Sequence, residues 1–142
     1  MEYMTYEPIS LSEIFNTNLS TSTGGQAVFV GYVRDRNEGR RVEKLFYECY
    51  LPLAEKGIRQ IIYQAKNQWN IDLAQVRHRV GWLEIGDIAV VVRVDAAHRK
   101  DAFEASEWIV DEIKRVVPIW KKEFYQDKWQ TWLTPAKAEV RQ

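Results

Sequence analysis

Lys114 and Lys121 stand on either side of Pro118 in the stretch Asp111–Glu123, DEIKRVVPIWKKE. Proline lacks the N–H that a helix needs and pushes the residue before it, here Val117, out of the α region. A helix must therefore end at this corner, with Lys114 in its last turn and Lys121 on the chain that turns away. Two ammonium groups near one rigid corner, with Trp120 as an apolar wall between them, suit the capture of an anion.

Two further basic clusters carry the same chemistry. Arg34, with Arg36 nearby, ends the run FVGYVR. His98-Arg99 sits between an apolar run and a helical stretch, where the N–H groups of a helix N-terminus add positive potential. His98 and Lys114 are sixteen positions apart, roughly 24 Å along a helix at 1.5 Å per residue. One small pocket then requires that the chain after Pro118 fold back, or that a dimer share the site.

Each group also has a plainer account. Lys114 suits the negative end of a helix dipole, and Lys121-Lys122 reads as a solvated pair. His98 reads as a surface or capping histidine, and Arg34 as a cross-strand partner of Glu48. His78 lies within an alternating strand, reads as a core-facing or partner-bonded histidine, and is assigned no function. Cys49, among aromatics in mid-strand, reads as a packing thiol, since nothing beside it would lower its pKa. The tail IWKKEFYQDKWQTWL can stack on bases, or close a core or a subunit interface. There is no GxSxG, no HExxH and no glycine-rich phosphate loop.

The elements that must position these groups are legible from periodicity and punctuation. Ser10 can cap a short helix, with Glu13 reaching back. Residues Asn16 to Gly25 form a polar loop, and Gln26–Arg34 is an apolar, β-branched strand. Asp35–Arg41 is a polar turn before a strand over Val42–Tyr50. Pro52 opens a helix to about Trp69, with Leu53, Ile58, Ile61, Ile62 and Ala65 at helical spacing. Val76, His78 and Val80 alternate with Arg77 and Arg79, the period of a strand with one wet face. Gly86-Asp87 is a turn, and Ile88–Asp95 is the most apolar strand, expected at the centre of a sheet. A long helix follows from about Asp101 to Val117, with Ala102, Ala105, Ile109, Ile113 and Val116 as its buried stripe. The tail from Ile119 to Leu133 reads as strand or irregular. The order ββα, ββα after an N-terminal helix gives an α+β sandwich of hairpins packed by helices.

The 142 residues suffice for one domain with a real core, and residues 1–142 are read as one domain. Twenty Lys+Arg balance twenty Asp+Glu, which argues against gripping nucleic acid through bulk charge. The single cysteine excludes an internal disulfide and a thiolate metal cage. The segment MEYMTYEPIS has no basic n-region and no apolar h-region, and no apolar run approaches the roughly 20 residues of a membrane span. A cytoplasmic protein is expected.

The clusters, taken in order, resemble the large, catalytic subunit family of molybdopterin synthase. The likeness runs from about Gly25 to Trp129. It rests on Ala27-Val28-Phe29-Val30-Gly31 with Val33-Arg34; on Tyr47-Glu48 and Tyr50; and on His78-Arg79-Val80-Gly81 with Gly86-Asp87. It rests further on Ala97-His98-Arg99 with Ala102-Phe103, and on Lys114 with Pro118-Ile119-Trp120-Lys121-Lys122-Glu123. Any one piece is weak; all of them at this spacing make a specific match. The resemblance implies a two-layer α+β fold of the α/β-hammerhead type, with an antiparallel or mixed sheet packed by helices. It implies a homodimer of large subunits. A small ubiquitin-like sulfur carrier docks on each through a C-terminal Gly-Gly thiocarboxylate, giving a heterotetramer. Sulfur passes in two steps to cyclic pyranopterin monophosphate, a pterin phosphate substrate, to make the molybdopterin dithiolene. No cofactor, metal, nucleic acid or membrane is implied, and Cys49 is a bystander because the partner brings the sulfur. Lys114 and Lys121 match the catalytic lysines. Phe29, Arg34, His98 and Arg99 match residues that hold the pterin and its phosphate, some reaching across the dimer. The match departs at Gln126-Asp127-Lys128-Trp129, where the family often has an Asp-Gly turn, and Arg141 is assigned no role.

Two rival classes remain open at this point. A non-catalytic module would accept a ubiquitin-like tail without binding the cyclic pterin. A single-stranded nucleic acid binder would use the aromatic tail and respond to salt.

Overall fold

The computed structural model describes residues 1–126 and the backbone of Gln130–Leu133; Asp127, Lys128, Trp129 and Arg141 lie outside the described residues. Two sheets and three helices are built from these residues. The first sheet has the order β1 (Met4–Thr5), β5 (Ile71–Arg79), β7 (Ile88–Ala96), β2 (Gly25–Tyr32). Its pairings are antiparallel except for β1 with β5, so the sheet is mixed. In the second sheet β4 (Arg40–Cys49) pairs with β8 (Ile119–Tyr125), and β8 with β9 (Gln130–Leu133). Both β3 (Arg36–Asn37) and β6 (Gly81–Glu84) also pair with β4.

Local chemistry accounts for the elements. α1 (Leu11–Phe15) starts where the Ser10 hydroxyl accepts the Glu13 N–H. α2 (Leu51–Gln68) opens on a proline in its first turn. α3 (Arg99–Val116) ends at Val117, whose extended backbone answers the demand of Pro118. The β3–β4 hairpin turns through Glu38 at φ 52° and Gly39 at φ 79°, the left-handed pair that a two-residue turn uses.

The main core lies between the first sheet and two helices. Ala54, Ile58, Ile61, Ile62 and Ala65 of α2 and Ala105, Ile109 and Ile113 of α3 pack on Val76, Val92 and Val94. β7 is central and buried on both faces, as the apolar run Ile88–Val92 predicts, with Arg93 and Asp95 as its two charged residues. A smaller cluster of Val33, Leu45, Leu83 and Ala89 joins the two sheets. No helix among the described residues is long and apolar enough to cross a membrane.

Several expectations give way to tertiary packing. The strands over Gln26–Arg34 and Val42–Tyr50 do not pair with each other. β2 joins β7 and β4 joins β6 and β8, because the chain between them is long enough to change sheets. Leu53 is half-exposed and Ala54 takes the buried place, one position round the helix. Val116 is only partly buried, and Val117 beyond it fills the core instead. Arg79, expected on a wet face, is buried, since β6 covers its strand end and the Trp82 carbonyl accepts from its Nη2 at 3.0 Å. The tail is strand, not irregular, over the described part.

One buried ion pair closes the face of β7 away from the long helices. Arg93 and Asp95 are each 1% exposed and two residues apart on one face. Arg93 Nε and Nη2 donate to the two carboxylate oxygens at 3.0 and 2.7 Å, and Nη1 donates to the Ile14 carbonyl. The pair thereby ties α1 to the sheet. Removing one partner leaves the other charge buried and alone, so Asp95→Ala is expected to cost about 3–5 kcal/mol in urea unfolding. Arg93→Met with Asp95→Leu, which removes both charges, is expected to cost much less.

Candidate functional site

The corner at Pro118 sets the site. Val117 is 1% exposed, its N–H donates to the Ile113 carbonyl, and the Ile119 N–H returns to the Val117 carbonyl at 2.8 Å. A turn this tight, with proline at its centre, leaves the directions of α3 and β8 little freedom. Lys114 is exposed in the last turn of α3, and Lys121 is half-buried near the start of β8.

Lys114 lines a cleft of about 520 Å³ between α3 and the edge strand β2, together with Phe29, Phe103, Val110 and Asp111. Phe29 lies on the helix-facing side of β2, opposite Val92. Its ring lies over Gly31, where an added Cβ would come within 3.2 Å of it and 2.8 Å of Val90. Gly31 therefore gives the Phe29 ring its place in the cleft, a role that the FVG tripeptide does not announce.

Lys121 belongs to the inner face of the second sheet. It is paired with Tyr47, and directly opposed residues of an antiparallel pair share a face. Trp120 pairs with Glu48 and points to the other face. It is therefore not the wall between the two lysines; strand alternation forbids that role. Lys121 flanks Tyr47 across the β4–β8 pair, and the Tyr47 ring meets that of His78 edge to face at 5.1 Å and 80°.

The electrostatics of this pair are set by burial. Desolvation, above all, pushes the His78 pKa down to about 4; the Lys114 charge adds to the shift and the Arg79 carbonyl opposes it. Burial, with the Glu123 charge second, pushes the Tyr47 phenol up to about 12. Glu123, 4% exposed, accepts from Asn37 Nδ2 at 2.7 Å and from the Tyr125 hydroxyl at 2.8 Å. Neither Lys114 nor Lys121 has an ion-pair partner among the described residues. Such an arrangement holds an anion without a competing carboxylate salt bridge.

The other expected residues divide between the two ends of the first sheet. β2 runs from Gly25 beside Ala96 to Tyr32 beside Ile88, so Arg34 lies past the end that faces the C-terminus of α3. His98 caps the opposite end of that helix and Arg99 is its first residue; both are exposed. Gly24 holds that corner close, since a Cβ there would come within 2.2 Å of the Ala97 carbonyl oxygen. Within one protomer, then, Phe29 and Lys114 share a cleft, Lys121 lies on the face of Tyr47, and His98 and Arg99 stand at the other end of α3.

Sequence reasoning read His78 as a core-facing or partner-bonded histidine, and it is both: it is buried, and its Nδ1 donates to the Arg79 carbonyl at 2.7 Å. Cys49 is half-buried, and burial, then Glu55 and Glu48, push its thiol up to about 11, so it is no nucleophile at neutral pH. Among the described residues no group of three or more His, Cys, Asp and Glu is placed to hold a metal ion. The described tail aromatic Phe124 packs against Trp82 at 5.2 Å, with the Lys44 ammonium over both rings.

Comparison with known proteins places this geometry. The model of the family described as MoaE protein matches residues 4–116. A molybdopterin synthase catalytic subunit of Staphylococcus carnosus is 45% identical over 121 residues, which is 85% of this chain and 81% of that one. The crystal structure of molybdopterin synthase from Staphylococcus aureus superposes with a TM-score of 0.86 at 38% identity, covering 92% of this chain and 95% of that one. A complex of subunits 1 and 2 of the molybdopterin-converting factor from Helicobacter pylori shares the fold. Its TM-score is 0.73 at 22% identity, over 89% of this chain and 86% of that one.

The buried histidine has a consequence for acid stability. Its folded pKa lies below the ordinary 6.5, so the unfolded chain takes up a proton that the folded chain refuses. Its contribution is present above pH 6.5 and is lost as the pH falls from there toward about 4. The urea midpoint of the native chain is expected to drop across that window, and the drop is expected to shrink in His78→Gln.

Proposed function

This chain belongs to the MoaE protein family, the catalytic subunits of molybdopterin synthase, and on that premise we propose that Lys114 and Lys121 are its catalytic amines. The reaction moves sulfur from the C-terminal thiocarboxylate of a small ubiquitin-like carrier to cyclic pyranopterin monophosphate. Two such transfers make the dithiolene of molybdopterin. The observation that carries the assignment is the proline corner, which sets Lys114 in the last turn of α3, lining the cleft with Phe29, and Lys121 half-buried on the strand that follows.

In this reading the carrier's extended Gly-Gly tail enters beside Lys114. The Lys114 ammonium faces the terminal carbonyl of the thiocarboxylate and stabilises the negative charge that builds on its oxygen as the carbonyl carbon is attacked. Lys121, half-buried and on the face of Tyr47, orients the pterin or moves a proton at it. Phe29 supplies an apolar face in the cleft. Arg34 offers a bidentate fork to the substrate phosphate. His98 and Arg99, roughly 24 Å away along α3, serve the cleft of the neighbouring protomer in a homodimer. With one carrier on each large subunit, the assembly is a heterotetramer.

Residues 1–142 act in this proposal as one catalytic-subunit domain in the cytoplasm, a reducing setting that suits a lone cysteine. The sulfur arrives with the partner, and the raised pKa of Cys49 accords with a residue outside the chemistry. Lys114→Ala is expected to lower dithiolene formation with thiocarboxylated carrier by at least about 100-fold, with unchanged circular dichroism and thermal midpoint. Near-normal turnover in that variant would show that Lys114 does not stabilise the thiocarboxylate oxygen. Cys49→Ala is expected to turn over as the parent does.

A further inference from the structure

Residues 34–41 carry four arginines against two carboxylates, Asp35 and Glu38. The β3–β4 hairpin gathers three of the arginines. It sets Arg36 directly opposite Arg41, and the side chains of such an antiparallel pair share a face, with Cβ atoms about 5 Å apart. Arg40 is opposite Asn37 and takes the other face. Like charges directly opposed across a ladder are destabilising. Arg36 has no ion-pair partner among the described residues, and Arg41 meets only Asp35, at 3.8 Å between side chains 48% and 56% exposed. An exposed pair of that kind offsets little of the repulsion.

The hairpin that carries this charge is nonetheless braced. Asn37 Nδ2 donates to the buried Glu123 carboxylate at 2.7 Å, and the Tyr125 hydroxyl donates to the same oxygen at 2.8 Å. The Arg40 guanidinium lies over the Tyr125 ring, 3.6 Å from its centre. The Gln126 N–H donates to the Arg41 carbonyl at 2.9 Å, and the Val42 N–H to the Asp35 carbonyl at 2.8 Å. These contacts fix the backbone around one concavity of about 500 Å³, lined by Arg36, Gly39, Arg40, Arg41 and Gln126. None of these lining residues is a carboxylate.

We propose that this concavity is an anion site for a phosphoryl group, free or on a small ester. A guanidinium presents a planar fork that matches two phosphate oxygens at once. Arg36 and Arg41 supply two forks from one face of the hairpin, and Arg40, stacked on Tyr125, adds its charge from the other. A bound anion offsets the repulsion between the opposed arginines, on a backbone already ordered without it. The size of the concavity suits a small guest, and the balanced charge of the chain argues against a long polyanion. The site stands apart from the lysine corner. The cleft of Lys114 shares no lining residue with it. Lys121 precedes Tyr125 on β8 by about 13 Å of strand, with Glu123 between them on the same face.

Calorimetry and phosphorus NMR with inorganic phosphate test the site, at an ionic strength held constant with chloride. The titration is made in full-length Lys114→Ala with Lys121→Ala, so that neither amine contributes. One saturable site is expected. Adding Arg36→Ala and Arg41→Ala is expected to weaken it at least about 10-fold, the loss of charge-assisted hydrogen bonds. Arg36→Lys with Arg41→Lys is expected to fall between, since an ammonium keeps the charge and loses the fork. Both positions are exposed, so the thermal midpoint without phosphate is expected to stay unchanged in either pair. O-phosphoserine in place of phosphate separates the two sources of the ligand. Equal or weaker binding assigns the free ion, and binding at least about 10-fold tighter assigns an ester whose body fills the concavity. The proposal is overturned if no saturable phosphate binding is seen once the two amines are gone. It is equally overturned if the arginine-to-alanine pair binds phosphate as well as its parent does.

Discussion

A helix that cannot go on fixes the rest of this molecule. Pro118 stops α3, forces Val117 into an extended conformation, and starts β8 within one tight turn. Val117 fills the core beneath α2, where Gly57 leaves room for its methyl groups at 3.4 Å. The corner is thus packed as well as covalently stiff. One end carries Lys114 and the other carries Lys121, so the relation of the two amines follows from a piece of backbone with almost no freedom. Two amines carried on a flexible loop would have to be ordered by a ligand at an entropic cost; here the backbone that bears them is ordered in folding.

The interior carries its polar groups in pairs with distinct purposes. Arg93 and Asp95 satisfy each other and the end of α1, a closed arrangement with nothing left over for a ligand. Glu123 likewise closes on Asn37 and Tyr125, and so ties the arginine-bearing β3–β4 turn to the strand of Lys121. His78 is met by a hydrogen bond from Nδ1 to the Arg79 carbonyl and by the edge of the Tyr47 ring, which joins the two sheets at that point.

The first sheet imposes a further division. Its antiparallel register sends Arg34 to one end of β2 and the His98 corner to the other. No local rearrangement brings those ends together, because α3 lies rigidly along the sheet between them. A substrate with a ring system at one place and a phosphate at another can span such a surface only if a second subunit completes the pocket. The geometry of one chain therefore accords with a shared site.

The sequence by itself determined the elements and the corner. Proline chemistry, strand alternation and helical spacing act over a few residues, and they located both long helices, the central strand β7 and the break at Pro118. They also brought out the cationic residues, since lysine and arginine beside such a break stand out whatever the fold. Only the tertiary structure decided which of these meet. That β2 and β4 part into separate sheets, that β6 buries Arg79, and that Trp120 turns away from Lys121 all depend on pairings between residues far apart in the chain. His78 shows the reason most clearly. Its period placed it in the core, but its contact with the Tyr47 ring is made between strands of two sheets, and no spacing along a chain encodes that until both sheets have formed.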